Sequence, residues 1–258
     1  MNLGLDGKRV VITGSSRGIG LAAARLFLEE GAHVLLNGTD RNRLDAAVET
    51  LGGSSAALAA AVADVSTKNG SRGLFEAADT QLGGVDILIN NAGIYRYGTA
   101  FTDLEDAQWE ESVRINLESI RHCSAEAVRR MRAQQAGVIL NASSYAAVTP
   151  SAGAALYAAL KSAVLSLTRT MAAECAPHGI RVNAYIPGVI ETDMTAELRE
   201  ANGPAMRAQI ALARFGTADE AAAPIVFLAS ERASYITGTA LDISGGKLCV
   251  QRPDAPWA

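Results

Sequence analysis

The stretch "TGSSRGIG" (residues 13–20) directly follows the apolar, β-branched run "RVVIT" (9–13) and opens a segment of helical length that ends at Gly31. A glycine turn between a strand and a helix lets the backbone approach a pyrophosphate, because the N–H groups and dipole at a helix amino terminus favour anions. Taken alone, the turn is weak evidence, because a tight strand–helix connection can have the same sequence. It therefore predicts a dinucleotide site only if the rest of the chain supports one.

Apolar runs like the first recur along the chain, with segments of helical length between them. They are "HVLLN" (33–37), "DILIN" (86–90), "GVILNAS" (137–143), "IRVNAYI" (180–186) and "ALDIS" (240–244), and the same rhythm places a further strand near residues 57–63. Buried strands that alternate with helices predict a parallel sheet covered on both faces. We expect a single domain over residues 1–258, of the α/β class, with a Rossmann-type doubly wound parallel sheet of about seven strands.

Residues 189–217 interrupt this rhythm. The segment follows a strand and contains Gly203-Pro204, so we expect a mobile, mostly helical insertion that covers the carboxyl edge of the sheet. Ligands bind at that edge in open α/β sheets.

The composition excludes several classes of function. Of 258 residues, 49% are apolar and 19% charged, with a net charge of -4, which is typical of a globular protein and gives no basic surface for nucleic acid. The amino terminus lacks the pattern of a signal peptide, and polar residues interrupt the longest uncharged stretch, residues 136–160. We therefore expect a cytoplasmic protein without nucleic-acid or membrane partners. The scattered cysteines and histidines lack metal-ligand spacing, so we expect no metal site.

The run "LYAALK" (156–161) carries a tyrosine and a lysine four residues apart. In a helix Tyr157 and Lys161 would lie on one face. The pair alone is a weak signal, because a lysine that extends towards solvent from an amphipathic turn would give the same pattern.

The glycine spacing, Gly-x-x-x-Gly-x-Gly after a threonine, resembles the short-chain dehydrogenase/reductase family. Further family features fall in register over about residues 5–247: Asp64-Val65 after the third strand, "NNAG" (90–93) after the fourth, Asn116 in "RINLES", Ser144 thirteen residues before Tyr157, Lys161, and "PGVIET" (187–192). The resemblance implies an NAD(P)-dependent oxidoreductase that interconverts a carbonyl and a secondary alcohol by hydride transfer.

The resemblance also implies four catalytic residues. Tyr157 would be the general acid/base, Lys161 would bond the nicotinamide ribose and adjust the tyrosine, Ser144 would bind the substrate carbonyl, and Asn116 would hold a water that links Lys161 to solvent. Ser143 also follows a strand, and the thirteen-residue register selects Ser144. Leu160 departs from the family, whose members commonly have a small or hydroxylic residue before the lysine, and we expect it to alter packing only.

The cofactor contacts implied by the resemblance lie in six segments of the chain. They are Gly14, Ser15, Ser16, Arg17, Gly18, Ile19 and Gly20 in the turn; Thr39; Asp64 and Val65 at the adenine; Asn91, Ala92 and Gly93 at the adenosine ribose; and Pro187, Gly188, Val189 and Thr192 at the nicotinamide, together with Tyr157 and Lys161. Asn90 would brace the sheet.

The end of the second strand bears on the choice of cofactor. Family members that prefer NAD usually carry an acidic residue there, and this chain has Gly38 followed by Thr39. A 2′-phosphate requires a cation or hydroxyls, which Arg17, Ser15 and Thr39 can supply. NADP(H) is therefore favoured. NAD(H) stays open because Asp40 follows, although Arg41 can offset its charge.

Coulomb's law predicts a strong effect of Lys161 on Tyr157. An ammonium about 5 Å from the phenol, at an effective dielectric near 20, contributes about 3 kcal/mol, or roughly two pKa units. We expect the tyrosine pKa to fall from about 10 towards roughly 8, with burial acting in the opposite direction.

The substrate is less clearly indicated. The stretches "PGVIETDMT" and "FLASERASYITGTALDISGG" look most like 3-oxoacyl-[acyl-carrier-protein] reductases of the same family, and Arg129 fits one cationic position for an acidic carrier, whereas Ala173 occupies another. A sugar, polyol or other small free ketone is the alternative substrate, and a non-catalytic dinucleotide sensor is a more remote reading. The apolar helical segments 103–132 and 152–176 predict a homo-oligomer, a dimer or a tetramer. Trp257 in the tail could pack on a neighbouring subunit or shape the pocket.

Overall fold

Seven strands form the sheet of the computed structural model, which describes residues 2–249. They are β1 (Arg9–Ile12), β2 (His33–Gly38), β3 (Leu58–Val62), β4 (Ile87–Asn90), β5 (Gly137–Ala142), β6 (Ile180–Pro187) and β7 (Ala240–Ile243). All neighbours pair in parallel, in the order β3-β2-β1-β4-β5-β6-β7. This order confirms the predicted doubly wound sheet, including the strand near residues 57–63.

Eight α-helices cover the two faces of this sheet within the described residues. They are α1 (Gly18–Glu29), α2 (Arg41–Thr50), α3 (Lys68–Leu82), α4 (Asp106–Val113), α5 (Ser119–Gln134), α6 (Ala155–Cys175), α7 (Ala196–Arg207) and α8 (Ala218–Ala229). Side chains of β1 alternate between two apolar cores: Val10 and Ile12 pack with Phe27 of α1, and Val11 packs with Phe75 of α3. Because both faces are buried, the strand reads as a continuous apolar run.

The predicted helical segment 103–132 is two helices, since a π-helical turn at Arg114–Glu118 separates α4 from α5. The predicted segment 152–176 is the single helix α6. A π turn widens a helix locally and is frequent at functional sites. Here it contains Asn116.

Residues 189–217 form a 3₁₀ turn (Asp193–Thr195), helix α7 and connecting turns. Asn202 interrupts α7 with non-helical angles two residues before Pro204. Met206, Ile210 and Phe215 pack against Val189 in a small core of their own, so the segment is attached to the sheet edge by apolar contacts.

No helix within residues 2–249 is long and apolar enough to cross a membrane. Trp257, to which the sequence assigned a packing role, lies outside the described residues.

Candidate active site

The four predicted catalytic residues line one cavity at the carboxyl ends of β4, β5 and β6. Asn116 comes from the π turn, Ser144 follows β5, and Tyr157 and Lys161 lie on α6. The parallel strands of the sheet bring these distant parts of the chain to the same edge.

Lys161 is buried beneath the cavity, with only 4% of its surface exposed. Its ammonium donates a hydrogen bond to the Ala142 carbonyl at 2.9 Å, and Nζ lies 5.7 Å from the centre of the Tyr157 ring. Burial lowers the pKa of Lys161 to about 8. The lysine is therefore mostly protonated at neutral pH, and its positive charge lies close to the phenol.

Tyr157 differs from the sequence-based expectation. Burial raises its pKa to about 12, and the Ser144 hydroxyl opposes that shift. The expected fall towards 8 is wrong for this structure, because the estimate from Coulomb's law did not include the full cost of desolvating a phenolate. This partly buried tyrosine is consequently a protonated acid throughout the neutral pH range.

Two adjacent serines after β5 have separate roles. The Ser143 hydroxyl donates to the Lys161 carbonyl at 2.9 Å and holds α6 against the strand. The Ser144 oxygen accepts from the Ala146 N–H at 3.2 Å, so it caps a turn while the hydroxyl faces the cavity beside Tyr157. This geometry favours the residue that the thirteen-residue register selects.

Asn116 is 1% exposed, and within residues 2–249 only the oxygen of its side-chain amide has a hydrogen-bond partner. The side-chain oxygen accepts from the Ile94 N–H at 3.1 Å, whereas the buried Nδ2 has no partner among the described residues. A buried donor without a partner is rare and costly, and an ordered water commonly satisfies it. The amide therefore fits the predicted water site.

Aromatic side chains wall the cavity, and sequence reasoning missed them. Tyr95 stacks on Tyr97 with ring centres 5.2 Å apart and meets Tyr157 edge-on at 4.7 Å. Tyr145, next to Ser144, also lines the cavity, and the Lys247 ammonium lies 5.0 Å from the centre of its ring. The signal that could have found the first pair is "IYRYG", directly after "NNAG".

A second cavity continues from this site along the carboxyl ends of β1 and β2. Most of the predicted cofactor residues line it: Gly14, Ser16, Arg17, Gly18, Ile19, Thr39, Asp64, Val65, Asn91, Ala92, Gly93 and Thr192. Pro187, Gly188 and Val189 line the first cavity with Tyr157 and Lys161. The two cavities share Ile19, Asn91, Gly93, Ile94, Thr192 and Met194, which makes one elongated cleft of the shape that a dinucleotide requires.

The first turn of α1 fits a pyrophosphate. Its N-cap, Arg17, makes no side-chain hydrogen bond to the helix, and the first turn has no acidic residue. The leading N–H groups of the helix are therefore left for an anion in the cleft. A dinucleotide bound there would have its phosphates at Gly18 and Ile19 and its nicotinamide near Tyr157.

Two predicted cofactor residues, Ser15 and Gly20, lie beneath the cleft and do not line it. The Ser15 hydroxyl is buried, donates to the Ile12 carbonyl at 2.7 Å and accepts from the Asn37 N–H at 2.9 Å. It is thus unavailable to a 2′-phosphate, which corrects the expectation for this side chain. Gly20 is buried as well, and a Cβ there would lie 2.7 Å from the Gly14 carbonyl oxygen.

Asn91 lines both cavities, but its side-chain amide is engaged in hydrogen bonds within the fold. Its Nδ2 donates to the carbonyls of Thr13 at 3.1 Å and Gly14 at 2.9 Å, and its Oδ1 accepts from the Tyr185 hydroxyl at 3.2 Å. The amide therefore joins three strands beneath the glycine turn. Asn90 likewise braces the sheet, as predicted, by donating to Asn141 Oδ1 at 2.9 Å and Ser124 Oγ at 3.0 Å.

Two arginines, Arg17 and Arg43, and three aspartates, Asp40, Asp64 and Asp193, line this cofactor cleft. Asp40 caps α2 by accepting from the Arg43 N–H at 3.1 Å, so its carboxylate stabilises the first turn of that helix. Arg43 lines the cleft, whereas Arg41, which the sequence offered as the compensating cation, pairs with Asp45 at 3.7 Å. Ser16, Thr39 and Arg17 complete the adenosine end of the cleft.

Comparisons with known proteins agree on the family. A family model described as enoyl-(acyl carrier protein) reductase matches residues 14–247. The 3-oxoacyl-[acyl-carrier-protein] reductases FabG of Chlamydia pneumoniae and Vibrio harveyi are each 38% identical to this chain, over 95% and 96% of it and over 99% and 100% of their own lengths.

A solved structure from Brucella melitensis, named as a short-chain dehydrogenase/reductase and glucose/ribitol dehydrogenase, superposes with a TM-score of 0.90 at 34% identity. The match covers 97% of this chain and 100% of that one. With the sheet order and the Tyr157–Lys161 cavity, these matches establish that the chain belongs to the short-chain dehydrogenase/reductase family and is an NAD(P)-dependent oxidoreductase acting on a carbonyl or the corresponding alcohol.

Proposed function

We propose that this enzyme interconverts 3-oxoacyl and 3-hydroxyacyl thioesters in the cytoplasm with NADP(H) as cofactor. The observation that carries the proposal is the near-complete match to two 3-oxoacyl reductases, in a chain whose cavity combines Ser144, Tyr157 and Lys161.

Tyr157 acts as the acid during carbonyl reduction. A bound nicotinamide cofactor supplies the hydride, which leaves negative charge on the substrate oxygen. An alkoxide is a stronger base than a phenolate, so a phenol whose pKa is about 12 donates its proton downhill. The Ser144 O–H stabilises the same oxygen as its charge develops.

Lys161 restores the proton to the tyrosine. Its ammonium, with a pKa of about 8, is a stronger acid than the Tyr157 phenol. Asn116 Nδ2 would hold the water through which Lys161 exchanges protons with solvent. In the opposite direction the same groups remove the proton of an alcohol.

NADP(H) is preferred because the 2′-phosphate would lie near Ser16, Thr39 and Arg17, with the Asp40 carboxylate turned into the start of α2. The ratio of kcat/KM for NADPH to that for NADH tests this cofactor preference, and a tenfold preference for NADH would overturn it.

A small hydroxylated ketone or sugar is the second candidate substrate. A polar chamber adjoins Tyr157 and is lined by Gln108, Ser112 and Glu197. Such groups suit hydroxyls better than an acyl chain. The Brucella melitensis protein named as a glucose/ribitol dehydrogenase gives this alternative further support.

Initial rates of NADPH oxidation with three substrates test the proposal: acetoacetyl-CoA, a free ketohexose, and crotonoyl-CoA. We expect the highest kcat/KM with acetoacetyl-CoA. A higher value with the ketohexose would replace the thioester by the second candidate. A higher value with crotonoyl-CoA would mean that the enzyme reduces a C=C bond, as the description of the matching family model suggests.

A further inference from the structure

An ion pair spans the mouth of the cofactor cleft. Arg17 Nη1, in the glycine turn, lies 2.9 Å from Asp193 Oδ2, in the 3₁₀ turn that follows β6. The two residues are 176 positions apart in the chain, and both line the cleft. Both side chains are more than half exposed, so the pair can open without disturbing a core.

The backbone around Asp193 is held in position by the neighbouring residues. Thr195 Oγ1 donates to the Ile190 carbonyl at 2.6 Å, and Arg199 Nε donates to Thr195 Oγ1 at 3.1 Å. A Cβ on Gly18 would lie 3.2 Å from Thr192 Cγ2, which shows how closely the glycine turn and this segment approach. The carboxylate of Asp193 is therefore presented to Arg17 by a fixed turn.

When NADP(H) binds, its 2′-phosphate would be a second anion that can bind Arg17. The 2′-phosphate carries nearly two negative charges and forms strong charge-assisted bonds with a guanidinium. Arg43, the other cation of the cleft, already has Asp40 Oδ2 at 3.7 Å from its Nε. Each cation at the adenosine end is thus matched by a carboxylate within 4 Å.

We propose that Asp193 is a positioning residue that competes with the 2′-phosphate for Arg17 and so limits how strongly the enzyme discriminates NADPH from NADH. The inference rests on the proposed use of Arg17 at the 2′-phosphate. NADH lacks that phosphate, so the Arg17–Asp193 pair persists when NADH binds. NADPH must replace the carboxylate partner of Arg17 by its own phosphate, and part of the binding free energy is lost in that exchange.

A double-mutant cycle on Arg17 and Asp193 tests this directly. Dissociation constants for NADPH and NADH are measured by fluorescence titration at low ionic strength for wild type, Asp193→Asn, Arg17→Ala and the double variant. Exposed ion pairs are worth up to about 1 kcal/mol, so we expect Asp193→Asn to tighten NADPH binding by about threefold. We expect Asp193→Asn to change the NADH dissociation constant by less than about 1.5-fold. In the Arg17→Ala background, Asp193→Asn should leave the NADPH dissociation constant unchanged.

Glu191→Gln is the matched control, because it removes an exposed acid two residues away that makes no ion pair with Arg17 within the described part of the chain. It should leave the ratio of the two constants unchanged. The inference is overturned if Asp193→Asn leaves that ratio unchanged, changes both constants equally, weakens NADPH binding, or acts as strongly without Arg17. A wild-type enzyme that prefers NADH would overturn the proposed cofactor, while a shift of the ratio by Asp193→Asn would still support the competition.

Discussion

Lys161 illustrates a conflict between function and stability at a single residue. The ammonium is buried with one hydrogen bond, to the Ala142 carbonyl, and its pKa is lowered from 10.5 to about 8. Below pH 8 the lysine is charged in the folded and the unfolded protein, so the folded state carries the full cost of desolvation. Between about pH 8 and 10.5 the unfolded chain binds more protons than the folded one, and the free energy of unfolding therefore increases with pH in this window.

Lys161→Met should consequently unfold with a higher free energy than wild type at pH 7, by about 2 kcal/mol, while activity is lost. This difference in the free energy of unfolding should decrease at pH 9.5, because Lys161 of the folded wild type is then largely deprotonated. Urea unfolding of both proteins at the two pH values, at one protomer concentration, measures the difference. A variant less stable than wild type at pH 7, or an advantage that does not change with pH, would contradict this account of the lysine.

Sequence patterns identified which residues form the site, but they did not predict how those residues are buried or hydrogen-bonded. Tyr157, Lys161, Ser144 and Asn116 were found by register and do meet in one cavity. The pKa of Tyr157 could not be predicted, because it depends on burial by residues distant in sequence, Tyr95 among them. Ser15 was misread for the same reason, since its partner Asn37 is 22 residues away.

Among the elements, the glycine turn before α1 has the strictest requirements. Gly14 has φ +61°, and a Cβ there would lie 2.8 Å from Ala92 Cα, a backbone atom that cannot move aside cheaply. Ala92 lines the cofactor cleft. The turn thus combines a backbone angle that favours glycine with close packing against the segment that follows β4, which is why its glycine spacing is such an informative signal in the sequence.

Gly14→Ala should destabilise the fold by at least about 1 kcal/mol more than Gly7→Ala. Gly7 is a matched control: its φ is +69°, and a Cβ there would meet no atom within 4 Å. The two variants share the cost of the backbone angle, and only Gly14→Ala adds the clash with Ala92. Equal losses in chemical unfolding would show that the clash is relieved at no cost.

The sequence did not reveal the π turn that carries Asn116, because a continuous helical pattern over 103–132 gives no sign of one extra residue. The bounds of the strands were predicted more accurately. Strands β1, β2, β4, β5 and β6 are largely buried parallel strands, whose apolar runs are a direct consequence of their central position in the sheet, whereas the edge strands β3 and β7 are only partly buried.

At the scale of the whole molecule, α6 bears on the predicted homo-oligomer. Ala155, Ala159, Ser162, Ser166 and Thr170 form an exposed row of small side chains along this helix, opposite the buried face with Lys161. Small residues at this spacing let a second helix approach closely. The oligomer stays a prediction, and this row is where we expect a neighbouring subunit.

Light scattering should give the mass of a dimer or a tetramer for wild type and a smaller species for Ser166→Arg, because the arginine cannot be accommodated in a close helix contact. Gln81→Arg adds the same side chain on the exposed part of α3 and should leave the mass unchanged. A monomeric wild type, or an assembly that tolerates Ser166→Arg, would rule out this face.

The central claim is that the partly buried phenol of Tyr157 on α6 transfers the proton during carbonyl reduction. The most direct test is Tyr157→Phe, assayed for kcat with acetoacetyl-CoA, or with the best substrate of the panel, and for NADPH affinity by fluorescence titration, with the exposed Tyr235→Phe as control. We predict that kcat falls at least a hundredfold while the NADPH dissociation constant stays within about twofold, since the ring is kept and only the acid is lost. A variant that retains a tenth of wild-type activity would contradict the claim.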